Sequence, residues 1–244
     1  MKQICKLVVM LLLAFTAGVQ AQLVTYPESL NPGMPHNDDY TVRVRIPGGE
    51  WKDLFEYNVQ VDMDNVQNAS MVQFDMGSAV EVMVKKNNGS VREVTIRPLS
   101  KGIEYKQIQN AILFTLEKPQ YLSIEFDGDR LHNLHLFANP LETEKYDKET
   151  KGIMYFGPGV HRPKDLPNNQ IRIPGNTTVY LAPGAVVKAK LLVDKAENVR
   201  IIGRGILDHP IRGIEVTDSK NVLIDGITVV NPDHYTCLLY TSPS

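Results

Sequence analysis

The sequence predicts an all-β protein, with a β-sandwich followed by the first coils of a parallel β-solenoid. Short runs of alternating apolar and polar residues recur through residues 40–137 without a convincing helical period. Three similar Val/Ile-rich segments then follow at intervals of 20 and 23 residues, starting at Val179, Val199 and Val222. A charged segment separates the two patterns, so two domains in series are expected.

The composition is that of an ordinary globular protein. The 244 residues suit one large all-β domain or two smaller ones. Apolar residues make up 43% and charged residues 22%, so a sizeable core is expected and bulk disorder is not. The formal net charge of −2 argues against a nucleic-acid partner, which favours a strongly basic surface.

The start of the chain has the parts of a secretory signal peptide. Two lysines flank the start of a short apolar run at residues 7–17, and small residues lie at the −3 and −1 positions before Gln22. The apolar run is too short for a comfortable membrane span, and the sequence has no second long apolar run. Residues 1–21 are therefore predicted to be cleaved between Ala21 and Gln22. The mature chain is then secreted or periplasmic, with no transmembrane segment.

The two cysteines lie outside both predicted domains. Cys5 belongs to the signal peptide and Cys237 to the last eight residues. A disulfide framework is therefore not expected, although many exported domains depend on one. Stability has to come from the burial of apolar side chains and from sheet hydrogen bonds.

Residues 22–142 are predicted to form the β-sandwich. Seven runs have strand character, namely residues 40–46, 57–63, 79–85, 91–97, 111–116, 121–126 and 134–137. Asn88-Gly89 lies between the third and fourth runs and predicts that these two pair as a β-hairpin. Lys118-Pro119 predicts a similar pairing of the fifth and sixth runs.

Residues 153–236 are predicted to form the start of the solenoid, after a charged linker at residues 143–152. The aligned repeats share apolar third and eighth positions and a turn residue at the fifth. The third positions hold Leu181, Ile201 and Ile224, the eighth Val186, Ile206 and Val229, and the fifth Pro183, Gly203 and Gly226. Strand spacing with a turn at fixed phase favours stacked coils. A second antiparallel sandwich is the alternative, although its turns need not repeat in phase.

Four segments of the second half carry a family resemblance. They are YFGPGVH at 155–161, NTTVYLAPGAV at 176–186, GRGILD at 203–208 and DGITVVNP at 225–232. These segments resemble the first coils of the pectin-lyase-like right-handed β-helix. They are most similar to glycoside hydrolases of the polygalacturonase type (family 28) and the dextranase type (family 49). A β-sandwich ahead of the helix is the dextranase-like arrangement, although over residues 22–142 the resemblance is looser and depends on position in the chain.

The last eight residues, CLLYTSPS at 237–244, resemble the translation of a sequencing adapter read in frame. A natural further strand is the alternative, since residues 238–241 have strand character. A solenoid needs a capping element, and none follows the last repeat in this sequence. The tail is therefore predicted to be non-native, and the parent protein is predicted to continue beyond Thr236.

The family resemblance implies hydrolysis of a polysaccharide by paired carboxyl groups, without an organic cofactor or a metal ion. These families carry Asn-x-Asp, Asp-Asp, Gly-His-Gly and Arg-x-Lys in that order on their middle coils, and this ordered set is not found here. The catalytic residues are therefore expected downstream of Thr236, and no residue of this chain is assigned a catalytic role. The full-length parent is expected to be a monomer that binds a polysaccharide and no nucleic acid.

The best local candidates for substrate contact are Asn231, His234 and Tyr235, which directly follow the last complete repeat. The resemblance places this polar, aromatic-bearing segment near the edge of the cleft. Its side chains can donate hydrogen bonds and stack on sugar faces. A plain turn is the alternative. Asp233 completes the letters Asn-x-Asp, but no paired Asp follows it, so a turn is expected there as well.

Other acidic residues are predicted to serve the structure. The segment His36-Asn-Asp38-Asp39 contains a paired Asp but precedes the first predicted strand, so a solvated turn is expected. Asp208 and Asp225 lie at predicted turns, where an Asp side chain usually accepts hydrogen bonds from backbone amides.

Two other functions remain open on the same fold. By family resemblance, a polysaccharide lyase would need Ca²⁺-ligating acids and a basic residue that abstracts a proton. A surface β-helix used for adhesion would bind glycans without cleaving them.

Overall fold

The computed structural model describes residues 22–26, 34–62, 64–163, 167–234 and 236–240. The predicted signal peptide and the predicted contact residue Tyr235 lie outside the described residues. Two short 3₁₀ turns, Leu99–Lys101 and Pro167–Asn169, accompany the strands. Within the described ranges, no helix has the length and apolar character that a membrane crossing requires.

The described residues of the first part of the chain form eleven strands. They are β1 (Leu23–Thr25), β2 (Tyr40–Arg45), β3 (Lys52–Asp53), β4 (Tyr57–Val61), β5 (Gln67–Met76), β6 (Val80–Lys86), β7 (Val94–Arg97), β8 (Tyr105–Ile108), β9 (Ala111–Leu116), β10 (Gln120–Phe126) and β11 (Leu134–Pro140). Successive side chains of a strand point to opposite faces, and β2 accordingly buries Tyr40, Val42 and Val44 while the residues between them are more exposed.

These strands form two sheets that pack face to face. The six-stranded sheet has the order β1-β5-β11-β10-β7, with β4 also beside β5, and the five-stranded sheet has the order β3-β2-β6-β9-β8. Side chains such as Phe74 and Ile124 fill the space between the sheets together with the apolar face of β2. The predicted β-sandwich is confirmed.

The two predicted hairpins are wrong. Strand β6 pairs with β2 and β9, whereas β7 pairs with β10 in the other sheet. The connection that contains Asn88-Gly89 runs from Asn87 to Glu93, which is too long for the two-residue loop of a hairpin. Similarly, β9 and β10 lie in different sheets. Both turns carry the chain across the sandwich, so that each strand buries its apolar face against the opposite sheet.

In the second part of the chain, the described residues form twelve strands in repeating groups of three. They are β12 (Ile153–Phe156), β13 (Gly159–His161), β14 (Gln170–Arg172), β15 (Thr178–Leu181), β16 (Ala185–Val187), β17 (Lys190–Asp194), β18 (Glu197–Gly203), β19 (Ile206–Asp208), β20 (Ile214–Thr217), β21 (Lys220–Asp225), β22 (Thr228–Val230) and β23 (Cys237–Tyr240).

Every third strand pairs in parallel, which gives a β-helix with three sheets. The first helix sheet is β12-β15-β18-β21, the second is β13-β16-β19-β22, and the third is β14-β17-β20-β23. The predicted parallel β-helix is confirmed. Strand β23, from the predicted adapter-like tail, pairs with β20. The non-native origin of residues 237–244 stays a prediction.

The register of the first helix sheet agrees with the sequence alignment at Val199, which lies opposite Val222, but differs from it one coil earlier. Val179 lies opposite Ile201 and not Val199. This shift of two residues keeps the same side chains in the interior, because side chains alternate with period two.

The eighth positions do not all share a face. Val186 lies opposite Ile206, and both belong to the face that contacts the sandwich. Val229 instead lies opposite Leu207 and packs inside the helix.

An asparagine ladder supports one bend of the helix. Asn198 Nδ2 donates to Asn176 Oδ1 at 2.9 Å, and Asn221 Nδ2 donates to Asn198 Oδ1 at 2.7 Å. All three residues have a left-handed backbone, with φ of 56°, 57° and 52° along the chain. Asparagine tolerates this conformation better than most residues, and its amide can both donate and accept along the stack.

The sandwich packs against the second helix sheet through an apolar interface. Tyr57 and Met71 from the six-stranded sheet meet Val186, Ile206 and Val230 from successive coils, and all five side chains are buried. The interface therefore covers one outer face of the β-helix and fixes the sandwich beside it.

A buried ion pair crosses the same junction. Arg204 Nε donates to Asp75 Oδ1 at 2.8 Å, and the two side chains are only 6% and 2% exposed. Arg204 Nη2 also donates to the carbonyl oxygen of Pro140 at 2.7 Å, and its own carbonyl oxygen accepts from Gln73 Nε2 at 3.4 Å. The guanidinium thus joins a coil of the helix to two strands of the sandwich.

The predicted linker lies against the first helix sheet. Arg200 donates through both terminal nitrogens to the Glu144 carboxylate, at 2.9 and 2.5 Å. The rings of Tyr146 and Tyr180 meet edge to face at 5.5 Å between centroids. The charged composition of residues 143–152 is therefore used in part for contacts with the coils.

Candidate functional site

Asn231 bridges the sandwich and the β-helix at the end of β22. Its Nδ2 donates to Asp208 Oδ1 at 2.9 Å, one coil earlier, and its Oδ1 accepts from the backbone N–H of Gln60 at 2.7 Å. The backbone of Asn231 has a φ of +52°, which Asn tolerates. The bend after β22 is therefore tied to the open edge of β4.

Asp208 is the centre of a polar network behind this bend. Its buried carboxylate accepts from Lys188 Nζ at 2.6 Å, from Asn231, and from His209 Nδ1 at 2.7 Å. Burial raises the pKa of Asp208, but the hydrogen bonds from Lys188, Asn231 and His209 and the electrostatic effect of His209 lower it more, so the net direction is downward. The carboxylate is ionised, and Nδ1 of His209 carries the proton in this contact.

Asp208 was expected to accept hydrogen bonds from backbone amides of a turn, and this expectation is wrong. Its described hydrogen bonds go to side chains on three coils, and not to the backbone amides of its own turn. No sequence signal identifies this network, because Lys188 and Asn231 lie 20 or more positions away and meet Asp208 only through the stacking of the coils.

A cleft of about 270 Å³ lies where the bend meets the sandwich. Its lining residues are Gln60, Val61, Asp62, Val66, Asn231, Pro232 and Asp233. The backbone N–H of Asp233 donates to the carbonyl oxygen of Pro210 at 3.1 Å, which fixes the rim. Asp62 Oδ1 accepts from the backbone N–H groups of Asp64 and Asn65 at 3.2 Å, which fixes the opposite rim.

The predicted contact residues are distributed unevenly around this cleft. Asn231 lines it, and so does Asp233, which was expected to form a turn only. His234 is exposed and is not among the lining residues. Tyr235 lies outside the described residues. No sequence pattern predicts Asp62 and Val66 at this cleft, since they come from the sandwich, about 170 positions earlier along the chain.

The cleft combines hydrogen-bond acceptors with apolar side chains. The carboxylates of Asp62 and Asp233 can accept from hydroxyl groups, and Val61, Val66 and Pro232 can contact C–H surfaces. Within the described ranges, no three His, Cys, Asp or Glu side chains are placed to hold one metal ion. The arrangement suits a small, hydroxyl-rich ligand segment.

Comparison with known proteins identifies the fold. Dex49A from Penicillium minioluteum has a similar structure, with a TM-score of 0.62 and 19% sequence identity. The match covers 80% of this chain and 54% of Dex49A, so the chain spans about half the length of that structure. The sequence itself matches no family model and no curated protein. The likeness to Dex49A therefore shows a shared sandwich and parallel β-helix architecture.

Proposed function

We propose that this chain is the N-terminal part of a secreted glycoside hydrolase that acts on a polysaccharide. The observation that carries the proposal is the shared architecture with Dex49A over 80% of this chain. That neighbour bears the name of the dextranase type, which the coil motifs at 155–232 and the leading sandwich also resemble. The cleft beside Asn231 has carboxylate acceptors and an apolar wall, which supports a role in holding sugar residues.

The catalytic carboxyl groups are proposed to lie beyond Thr236. Glycoside hydrolysis needs one carboxyl group that gives a proton and a second that activates water or attacks the sugar. On the described coils, Asp194, Asp208 and Glu215 are held in ion pairs with cationic side chains at 2.6–2.7 Å. These pairs lower the pKa of all three carboxyl groups and suit them to structural roles rather than to proton donation.

The gene that encodes this chain tests where the catalytic half lies. The native gene is amplified from source DNA and read past the Thr236 codon. The proposal expects further Val/Ile-rich coils that carry Asn-x-Asp and a paired Asp-Asp. A reading frame that continues without clustered acidic residues on the following coils would contradict it.

Export is tested separately at the N-terminus. The protein recovered from the periplasm or the medium is expected to begin at Gln22, because the small residues before it fit signal-peptidase cleavage. N-terminal sequencing of the protein from the cell fractions reads this directly. A protein that keeps Met1 and stays in the cytoplasm would refute the export part of the proposal.

A further inference from the structure

A second recess lies on the sandwich and adjoins the cleft beside Asn231. It has a volume of about 380 Å³ and is lined by His36, Asn37, Asp38, Asp39, Asn58, Val66, Gln67, Asn68 and His132. Val66 lines both recesses, and its side chain is 54% exposed between them. The two recesses are therefore neighbours across Val66, and together they are called here the junction groove, which extends from the first strands of the sandwich to the bend after β22.

Hydrogen bonds hold the lining side chains of this groove in place. Asn37 Nδ2 donates to Asn58 Oδ1 at 3.2 Å, and Asn58 Nδ2 donates to Asn68 Oδ1 at 3.4 Å. His36 lies between two carboxylates, with Nδ1 at 2.9 Å from Asp38 and Nε2 at 3.2 Å from the buried Glu56. Polar side chains that are already oriented lose less conformational freedom when a ligand binds.

The junction groove carries negative charge. Its lining includes the four carboxylates Asp38, Asp39, Asp62 and Asp233, and among the residues that the structure describes neither recess is lined by a lysine or an arginine. The recess beside β8 differs, since Lys101, Lys106 and Lys118 line it together with two glutamates. A ligand that carries a carboxylate on every residue would meet uncompensated like charges in the junction groove, which is a strong means of rejection.

We propose that the junction groove binds an uncharged, hydroxyl-rich glycan segment and rejects polyuronates. This inference rests on the proposed function and specifies its substrate class. The Asp carboxylates accept hydrogen bonds from sugar hydroxyls, the Asn side chains both accept and donate them, and Val66 and Pro232 contact the C–H faces of the sugar rings. Binding in the groove positions the chain relative to the coils and needs no metal ion.

Affinity electrophoresis of the 244-residue protein tests the binding preference. Native gels contain one polymer each, with dextran, pullulan and galactomannan as uncharged probes and polygalacturonate as the charged probe. At least one uncharged polymer is expected to retard the protein, and polygalacturonate is not. Retardation by polygalacturonate equal to that by the best uncharged polymer would overturn the proposal, and so would the absence of retardation by every uncharged polymer.

Charge reversal tests the electrostatic part of the inference. The double variant Asp38→Lys/Asp233→Lys is expected to bind the best uncharged polymer about tenfold more weakly and to gain retardation by polygalacturonate. The control Glu104→Lys/Glu117→Lys makes the same change of net charge beside β8, where both glutamates are exposed. The control is expected to bind like the wild type. Identical behaviour of the two double variants would overturn the assignment of the groove.

Val66→Asp provides a second variant that leaves the hydrogen-bond network intact. Because Val66 is exposed at the join of the two recesses, the variant is expected to fold with an unchanged melting temperature and to lose most of the binding to the uncharged polymer. Unchanged binding would contradict a continuous groove. A longer gene product that cleaves no polysaccharide, while this chain still binds uncharged glycans through Val66, would refute the proposed hydrolase and leave the groove standing.

Discussion

Gly203 lies where two coils of the β-helix approach each other closely. Its φ is +128°, and a Cβ atom at this position would lie 2.0 Å from the carbonyl oxygen of Leu181. Gly89 also has a positive φ, of +75°, but a Cβ atom there would meet nothing within 4 Å. The two glycines therefore separate the cost of backbone strain from the cost of a steric clash.

Gly203→Ala is expected to destabilise the protein by about 3 kcal/mol or more, as backbone strain and overpacking add. Gly89→Ala is the control and is expected to cost about 1–2 kcal/mol, from strain alone. Urea unfolding followed by circular dichroism measures both variants. Equal losses in the two variants would show that the coils do not approach as closely at Gly203 as the structure indicates.

Arg204 and Asp75 form a buried ion pair between the β-helix and the sandwich. Asp75→Asn leaves the guanidinium charge buried without its counter-ion, so we expect a loss of about 3–5 kcal/mol in the free energy of unfolding. Asp53→Asn makes the same chemical change in the exposed pair of Arg43 and Asp53, where about 0–1 kcal/mol is expected. Chemical denaturation of both variants decides whether burial makes the difference.

Some residues of the candidate site could be predicted from the sequence, but their partners could not. Asn231 follows a recognisable repeat and lines the cleft. The partners that give it a role, Asp208 and Gln60, come from the previous coil and from the sandwich. Local patterns do not encode such contacts, because they arise from the stacking of coils and the docking of two bodies.

At the scale of elements, the asparagine ladder stabilises one bend of the helix through two hydrogen bonds and a tolerated left-handed backbone. Asn198→Ala removes both bonds of the middle residue and strains its φ of +57°, so a loss of about 2–4 kcal/mol is expected. Asn198→Gly keeps the backbone freedom and is expected to cost about 1–2 kcal/mol less than the alanine variant. Differential scanning calorimetry compares them, and an alanine variant as stable as the glycine variant would rule out backbone strain at this position.

Strands were predictable as elements, but their pairing was not. Alternation of apolar and polar residues identified seven of the described sandwich strands, because one face of each is buried either between the two sheets or against the β-helix. The long strand β5 was missed because it is buried on both faces over most of its length and does not alternate. The short strands β1, β3 and β8 were missed as well. The hairpin signal at Asn88-Gly89 marked a real turn, yet the turn connects two sheets. Strand pairing depends on how the apolar face of each whole strand is buried across the sandwich. A turn dipeptide does not determine this.

For the whole molecule, we expect the junction between the sandwich and the β-helix to lose stability at acidic pH. His135 lies on β11 opposite Met71, which belongs to the junction core, and it is half-buried. Burial lowers the pKa of His135 below its usual value of 6.5. The unfolded chain therefore binds the proton more readily than the folded chain once the pH falls below about 6.5.

The free energy of unfolding is expected to fall as the pH decreases from 6.5 through the lowered pKa of His135, and to be independent of this group above that range. His135→Leu removes the titrating group and is expected to flatten this part of the curve, while other groups titrate as before. Urea unfolding of the wild type and the variant over the acidic range gives the difference. Parallel curves would exclude His135 as the responsible group.

The fold as a whole was predictable because repeated Val/Ile segments with turns at fixed phase specify stacked coils. The precise register was not, since a shift of two residues preserves every inward-facing side chain. The contact of the sandwich with the second helix sheet could not be predicted from the sequence either. Residues such as Val186 and Ile206 are apolar for the sake of that interface, but in the sequence they look like part of the helix interior.

The release of reducing ends by the longer gene product tests the central claim most directly. Purified protein that extends past Thr236 is incubated with dextran, pullulan, galactomannan and polygalacturonate. Reducing ends and ultraviolet-absorbing unsaturated products are then measured, with a variant in which the paired Asp residues of the extension are replaced by Asn as the control. We expect reducing ends from an uncharged polymer, no unsaturated products, and loss of activity in the control. Unsaturated products would indicate a lyase, and glycan binding without any cleavage would contradict the hydrolase altogether.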